Sequence, residues 1–182
     1  LEIRRKVLGE EHPDTTISCN NLALCLKNQG QYAKARPLYE KALEVRRKVL
    51  GEEHPDTAQS YNNLAYNLAA QGKYAAAQPL YKKALEIYRR LLSDDHPDTA
   101  NSYNNVAGTQ EDQGKYAEAA VGYAKALAIK RKVLGEEHPD TAASYNNVAS
   151  NLQSQGKYAE AAVGYAKALA IQRKVLGEEH PG

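Results

Sequence analysis

Tyr61, Leu64, Ala65 and Leu68 fall at i, i+3, i+4 and i+7, the spacing that lays side chains along one stripe of an α-helix. The pattern predicts a first helix, helix A, over roughly Pro55 to Ala70. Gly72 follows, a residue that tolerates the left-handed backbone of a helix C-terminus and lets the chain turn tightly. Beyond it Tyr74, Ala77, Tyr81, Ala84, Leu85, Tyr88 and Leu92 keep spacings of three and four, so a second helix, helix B, is predicted to run to about Leu92. No segment alternates with period two, and no strand is predicted.

The pair recurs along the chain with a period of 42 residues. Tyr61, Tyr103 and Tyr145 align, with Cys19 in the first copy. Asn20-Asn21, Asn62-Asn63, Asn104-Asn105 and Asn146-Asn147 align, as do Gly30, Gly72, Gly114 and Gly156. One domain over 1–182 is expected, with repeats at 9–50, 51–92, 93–134 and 135–176. Residues 1–8 read as the end of a preceding helix B, and 177–182 as the start of a further joint. A helical hairpin of this size cannot bury its apolar stripe alone, so successive hairpins are expected to stack into an all-α solenoid of antiparallel helix pairs. One helix of each pair then lines the inner surface. Neither end carries a polar cap, which predicts end-to-end association and suggests part of a longer protein.

Between helices B and A runs a segment that places a histidine among carboxylates beside a proline: EEHPD at 10–14, 52–56 and 136–140, DDHPD at 94–98, and EEHPG at the end. All five histidines, His12, His54, His96, His138 and His180, sit in it. Catalysis would require equivalent sites at every copy with no nucleophile peculiar to any. Metal binding by Glu53, His54 and Asp56 lacks a second ligand group. A structural joint accounts for the pattern: Gly51 ends helix B, while Pro55 and Asp56 suit the first turn of helix A, where proline loses no hydrogen bond and a carboxylate meets the positive helix end. No catalytic residue, metal or cofactor is therefore assigned, and no enzymatic activity is expected.

Composition narrows the setting. The 182 residues are 42% hydrophobic and 25% charged with a net charge of +2, acids and bases interleaved, which gives no basic field for nucleic acid or anionic membrane. No apolar run reaches the roughly 18 residues of a membrane span. Cys19 and Cys25, six apart, are turned about 600° from one another on a helix and face different sides. Two unpaired thiols predict a reducing, cytoplasmic setting.

The segment YNNLAYNLAAQGKYAAAQPLYKKALEI, Tyr61 to Ile87, resembles the tetratricopeptide repeat, whose usual small and large positions are matched by Leu64, Ala65, Ala77, Tyr81 and Ala84. The ordinary unit of that family has about 34 residues. Here helix B continues through YRRLL, and the longer unit with LGEEHPDTA and YNNLA is similar to the repeats of kinesin light chain. The resemblance covers essentially the whole chain. It implies a right-handed superhelix and a non-enzymatic scaffold that binds extended peptides in a concave groove formed by the A helices. The heptad coiled coil through which kinesin light chain meets its motor has no counterpart here. Where chaperone-binding members carry a carboxylate-clamping lysine, this chain has Asn20, Asn62, Asn104 and Asn146.

The resemblance puts the groove at Gln59, Asn62, Tyr66 and Ala69 or Ala70 in the second repeat, and the helical spacing agrees. The other repeats place Ile17, Asn20, Leu24, Lys27 and Asn28; Asn101, Asn104, Gly108, Glu111 and Asp112; and Ala143, Asn146, Ser150, Gln153 and Ser154. The constant first asparagine suggests a ladder of amides that holds the main chain of a peptide, its variable neighbours selecting the sequence. The second asparagine, Asn63 and its equivalents, is read as packing. Lys27, then Tyr66 with two alanines, then Glu111 with Asp112 predict a protein or peptide partner with an apolar centre and a basic residue over the third repeat. Two other readings are a structural array with an inert groove and the sensor part of a larger multidomain protein. No GxxxxGK phosphate loop occurs. The tyrosines are expected mostly in the core, Tyr66 excepted. Gly108, Gly122 and Gly164 lie inside helices, which signals looseness or a closely approaching neighbour. Residues 115–181 hold two copies that differ only at Lys130 and Gln172.

Overall fold

The structure, a computed structural model, describes residues 6–9 and 11–177, without the side chain of Leu176. Glu10, residues 1–5 of the expected preceding helix and the last copy of the joint with His180 lie outside the described residues. Lys6 to Leu8 are helical. Eight helices follow: α1 (Pro13–Asn28), α2 (Tyr32–Leu50), α3 (Pro55–Ala69), α4 (Tyr74–Leu92), α5 (Pro97–Asp112), α6 (Tyr116–Leu134), α7 (Pro139–Ser154) and α8 (Tyr158–Leu176). No strand occurs among the described residues. The odd-numbered helices are the A helices of the sequence pattern and the even-numbered ones the B helices.

Each A helix starts in the same way. Pro13, Pro55, Pro97 and Pro139 occupy the first turn, where a missing N–H costs nothing, and Asp14, Asp56, Asp98 and Asp140 follow at the positive end. The preceding histidine, which sequence reasoning gave no role, is the cap: Nδ1 of His12, His54, His96 and His138 accepts the backbone N–H two residues on, at 3.2, 3.1, 3.2 and 3.1 Å. Threonine adds a second tie across the joint. The hydroxyls of Thr57, Thr99 and Thr141 donate to the carbonyls of Gly51, Ser93 and Gly135, each at 2.8 Å.

The A helices also end alike. Gly72 takes φ +72, its N–H donates to the Ala69 carbonyl at 2.8 Å, and Lys73 N–H donates to Leu68 at 3.0 Å. This closes the last turn with a left-handed residue and sends the chain back at once. At the end of the B helices the glycines lie at φ +90 (Gly51, Gly135), whereas the third joint has Ser93 at φ +84, the one described non-glycine residue with positive φ.

The chain divides into two compact units, Leu1–Leu91 and Leu92–Gly182. In the first, α2 packs on both α1 and α3; in the second, α6 packs on α5 and α7, and α7 on α8. Small residues let the helices approach. Ala23, Ala35 and Ala42 are buried with Tyr39 in the first unit's core, and Ala107 and Ala119 pack with Tyr123 in the second, against Val148. A second cluster there joins Ala142, Tyr145, Ala168 and Ile171, with Leu127 against it. Gly122 marks close approach: a Cβ added there would lie 2.9 Å from Ala107 Cβ, and one at Gly164 would lie 2.9 Å from Ala149 Cβ. Of the two copies' differing residues, Lys130 is buried and Gln172 exposed.

The tyrosines divide more evenly than the sequence suggested. Tyr39, Tyr61, Tyr81, Tyr88, Tyr103, Tyr123 and Tyr145 are buried, but Tyr116, Tyr158 and Tyr165 join Tyr66 in being exposed. Tyr116 and Tyr158 are the first residues of their helices, where a side chain has no preceding turn to cover it.

Candidate functional site

In the first unit the stripe expected to carry a ligand is open. Gln59 and Tyr66 are exposed, Asn20 and Asn62 half-buried, and Ile17 and Leu24 stand exposed on α1. Two of the expected residues meet: Lys27 Nζ lies 4.7 Å from the centre of the Tyr66 ring, a cation on an aromatic face that bridges α1 and α3. Behind them Tyr39 is held above its ordinary pKa by burial, with Cys25 and Tyr66 adding to the shift.

The asparagines are not equivalent amides facing solvent. Asn63 Nδ2 donates to Asn20 Oδ1 at 2.9 Å, joining the second asparagine of one repeat to the first of the repeat before it. The Oδ1 atoms of Asn62 and Asn104 are buried with no hydrogen-bond partner. In each case the acceptor side is turned inward, and the half-buried remainder of the amide is what the groove face can offer.

In the second unit Asn101 and Asp112 are exposed, and Asn104, Glu111 and Asn146 are half-buried. Glu111 is held from two sides. Its Oε2 accepts the Tyr123 hydroxyl at 2.8 Å and its Oε1 the Ser154 hydroxyl at 3.1 Å, so it ties α5 to both α6 and α7. Tyr123 is pushed well above the usual phenol range, first by burial and then by this bond. Asp112 is raised above the ordinary carboxylate value by burial and by the neighbouring Glu111 charge. Tyr165 repeats the reach on the last helix pair, donating to Gln153 Oε1 at 3.0 Å. A signal for this was present in the sequence, since each donor tyrosine stands 12 residues after its acceptor; Lys27, 12 before Tyr39, has no acceptor to offer.

The joints carry charge. Glu52 accepts from the Tyr61 hydroxyl at 2.5 Å and from Arg47 Nε at 2.6 Å; the Tyr61 bond first, and then Arg47, holds its carboxyl below the ordinary value. Burial, followed by Glu52, pushes Tyr61 up to about 12. Tyr145, Glu136 and Arg131 repeat the arrangement. Among the described residues no group of three or more His, Cys, Asp or Glu side chains is placed to hold a metal ion. None of the described helices is long and apolar enough to cross a membrane.

Set against known proteins, the tetratricopeptide repeat profile matches residues 16–90, 61–132 and 111–174. The chain belongs to the tetratricopeptide repeat family. Its repeats are of the kinesin-light-chain-like type. A solved Podosopora anserina putative kinesin light chain with nearly identical TPR-like repeats is 30% identical, with TM-score 0.82, over 97% of this chain and 83% of its own. A substituted form of that protein gives 30% identity and TM-score 0.84 over 96% and 82%. BtubC (BKLC) from P. vanneervenii is 28% identical, with TM-score 0.82, over 94% of this chain and 68% of its own. No curated protein sequence matches. Tetratricopeptide repeats suggest a protein-interaction scaffold, and their fold is generally non-catalytic.

Proposed function

We propose that the A-helix faces of this tetratricopeptide array bind extended peptide segments, with the first asparagine of each repeat contacting the peptide main chain. The observation that supports this most is the orientation of Asn62 and Asn104, whose carbonyl oxygens are buried and unpartnered while the rest of each side chain stays half-open. An asparagine so turned offers its Nδ2 donors outward, and a peptide in extended conformation presents a carbonyl to take them. The ladder is therefore one of donors rather than of donor–acceptor pairs. Asn20 has the same polarity for another reason, because its acceptor is used by Asn63.

Neighbouring residues then select. In the first unit the exposed Tyr66 and the small Ala69 and Ala70 favour an apolar side chain, with Lys27 lying on the ring. In the second, Glu111 and Asp112 favour a basic side chain of the ligand: Glu111 is pre-positioned by Tyr123 and Ser154, and the exposed Asp112 carboxylate beside it can meet an incoming cation. The tests are substitutions of matched shape. Asn62→Asp with Asn104→Asp removes the outward donors at nearly constant volume, and the reading expects at least a tenfold loss of affinity for any selected peptide; equal affinity would sink the donor ladder. Glu111→Lys with Asp112→Lys is expected to discriminate against ligands with a basic residue, and an unchanged preference would remove the charge-selection part alone.

A further inference from the structure

We infer that the joints are proton-sensitive caps, so that mild acid loosens the start of every A helix at once. An imidazole nitrogen accepts a hydrogen bond only while it carries no proton. At His12, His54, His96 and His138 it is Nδ1 that accepts the backbone N–H of Asp14, Asp56, Asp98 and Asp140. Protonation converts each acceptor into a donor aimed at a donor. It also adds a positive charge to the positive end of the helix. The usual capping residues, serine, threonine, asparagine and aspartate, lack this dependence at mildly acid pH, because their oxygens still accept there.

The carboxylates around each ring act in the other direction, and they need to be weighed. Glu11 and Asp14 flank His12; Glu52, Glu53 and Asp56 flank His54; Asp94, Asp95 and Asp98 flank His96; Glu136, Glu137 and Asp140 flank His138. Most of the acids preceding the histidines are engaged. Glu11 pairs with Lys48 at 2.5 Å, Glu53 with Arg90 at 2.9 Å, Asp95 with Lys132 at 2.5 Å, and Glu137 with Lys174. Glu52 and Glu136 are tied to Arg47 with Tyr61 and to Arg131 with Tyr145. Arg46 spends its Nη1 on the Asp56 carbonyl and Ser60. Asp98 comes within 3.7 Å of His96 Nδ1. A protonated His96 would exchange its cap for that ion pair, which keeps a charge partner but leaves the helix N–H without its acceptor.

Proton uptake at Nδ1 is thus linked to opening of the helix starts, and stability is expected to fall on mild acidification. The same cap is built twice in each unit, at His12 and His54 and at His96 and His138. This inference does not depend on the groove binding a peptide.

The test compares thermal unfolding by circular dichroism at pH 7.5 and 5.5 for the wild-type chain and for one carrying His12→Asn, His54→Asn, His96→Asn and His138→Asn. Asparagine caps at both pH values, and His180 is kept in both chains so that it cancels. The wild type is expected to lose on the order of 5 °C more than the variant between the two pH values. An equal loss in the two chains, or none in either, overturns the inference. If the fourfold variant does not fold, His54→Asn alone is compared, and nitrogen NMR on the wild type decides: four capping imidazoles with the proton on Nε2 at pH 7.5 support the caps, and protons on Nδ1 refute them.

Discussion

Two glycines in the same helical hairpin should respond to the same substitution in opposite directions. Gly108 in α5 and Gly122 in α6 both lie inside helices, where alanine is favoured over glycine by about 1 kcal/mol through backbone entropy. At Gly108 a new Cβ would meet only the Tyr123 hydroxyl, at 3.5 Å, an ordinary contact. Gly108→Ala should therefore keep the full gain, about 1 kcal/mol. At Gly122 the Cβ would stand 2.9 Å from Ala107 Cβ and 3.3 Å from the Tyr103 carbonyl oxygen. Neither neighbour can swing aside: one is a methyl fixed to the helix, the other backbone. Overpacking of this kind costs about 1–3 kcal/mol, so Gly122→Ala should come out destabilised by up to about 2 kcal/mol once the propensity gain of about 1 kcal/mol is subtracted. Urea unfolding followed by circular dichroism measures both, and the midpoints should move apart on either side of the wild type. Stabilisation by both substitutions would mean that α5 and α6 do not approach as closely as described. Destabilisation by both would mean that propensity is not the deciding term at Gly108.

Other consequences follow from single contacts. Ser93 holds φ +84 where the other described joints have glycine, and Ser93→Gly should stabilise by about 1 kcal/mol, read as a rise in Tm; no change would show the conformation to be unstrained. Burial and Glu52 push Tyr61 up to about 12, so the stability this phenol contributes is complete below its ordinary value of 10.0 and is lost as the pH rises toward about 12. Tyr61→Phe should flatten that alkaline loss, and an unaltered alkaline profile would contradict the burial assigned to the ring. Glu52 and Glu136 are held below 4.5, and their contribution is present above that pH and lost as the pH falls through their lowered values. Tyr123→Phe removes the bond to Glu111 and should lower stability by about 1 kcal/mol while freeing the Glu111 side chain; an unchanged melting curve would show the hydrogen bond to be replaced by solvent.

The helices were legible from spacing alone, because a 3.6-residue period survives any choice of apolar residue, and the glycine at the A-to-B turn reports its left-handed backbone directly. The second repeat's helices end within a residue of the expectation, α3 closing at Ala69. The histidine caps were hidden by habit of reading: histidine is not among the usual capping residues, and its role emerges only when the ring's Nδ1 is seen to reach the N–H two residues on. At the groove, the sequence placed Lys27 and Tyr66 on one face but not in contact, since their spacing of 39 spans two helices. Glu111 reads as an exposed acid in sequence; in three dimensions both its oxygens are occupied by hydroxyls from neighbouring helices. The polarity of the asparagine ladder depends on which side of an amide is covered, and no pattern along one chain records that. The glycines at 122 and 164 left looseness and close approach open, and the facing alanine methyls decide for close approach.

The claim that the asparagine faces bind peptide is tested most directly by selecting from a peptide library with the wild-type chain and, in parallel, with a folded variant carrying Asn62→Leu, Asn104→Leu and Asn146→Leu. Asn20 is left in place because its carbonyl serves the bond from Asn63. Selective enrichment by the wild type that disappears in the variant is the predicted result. No enrichment by either chain, or the same peptides enriched by both, would contradict it.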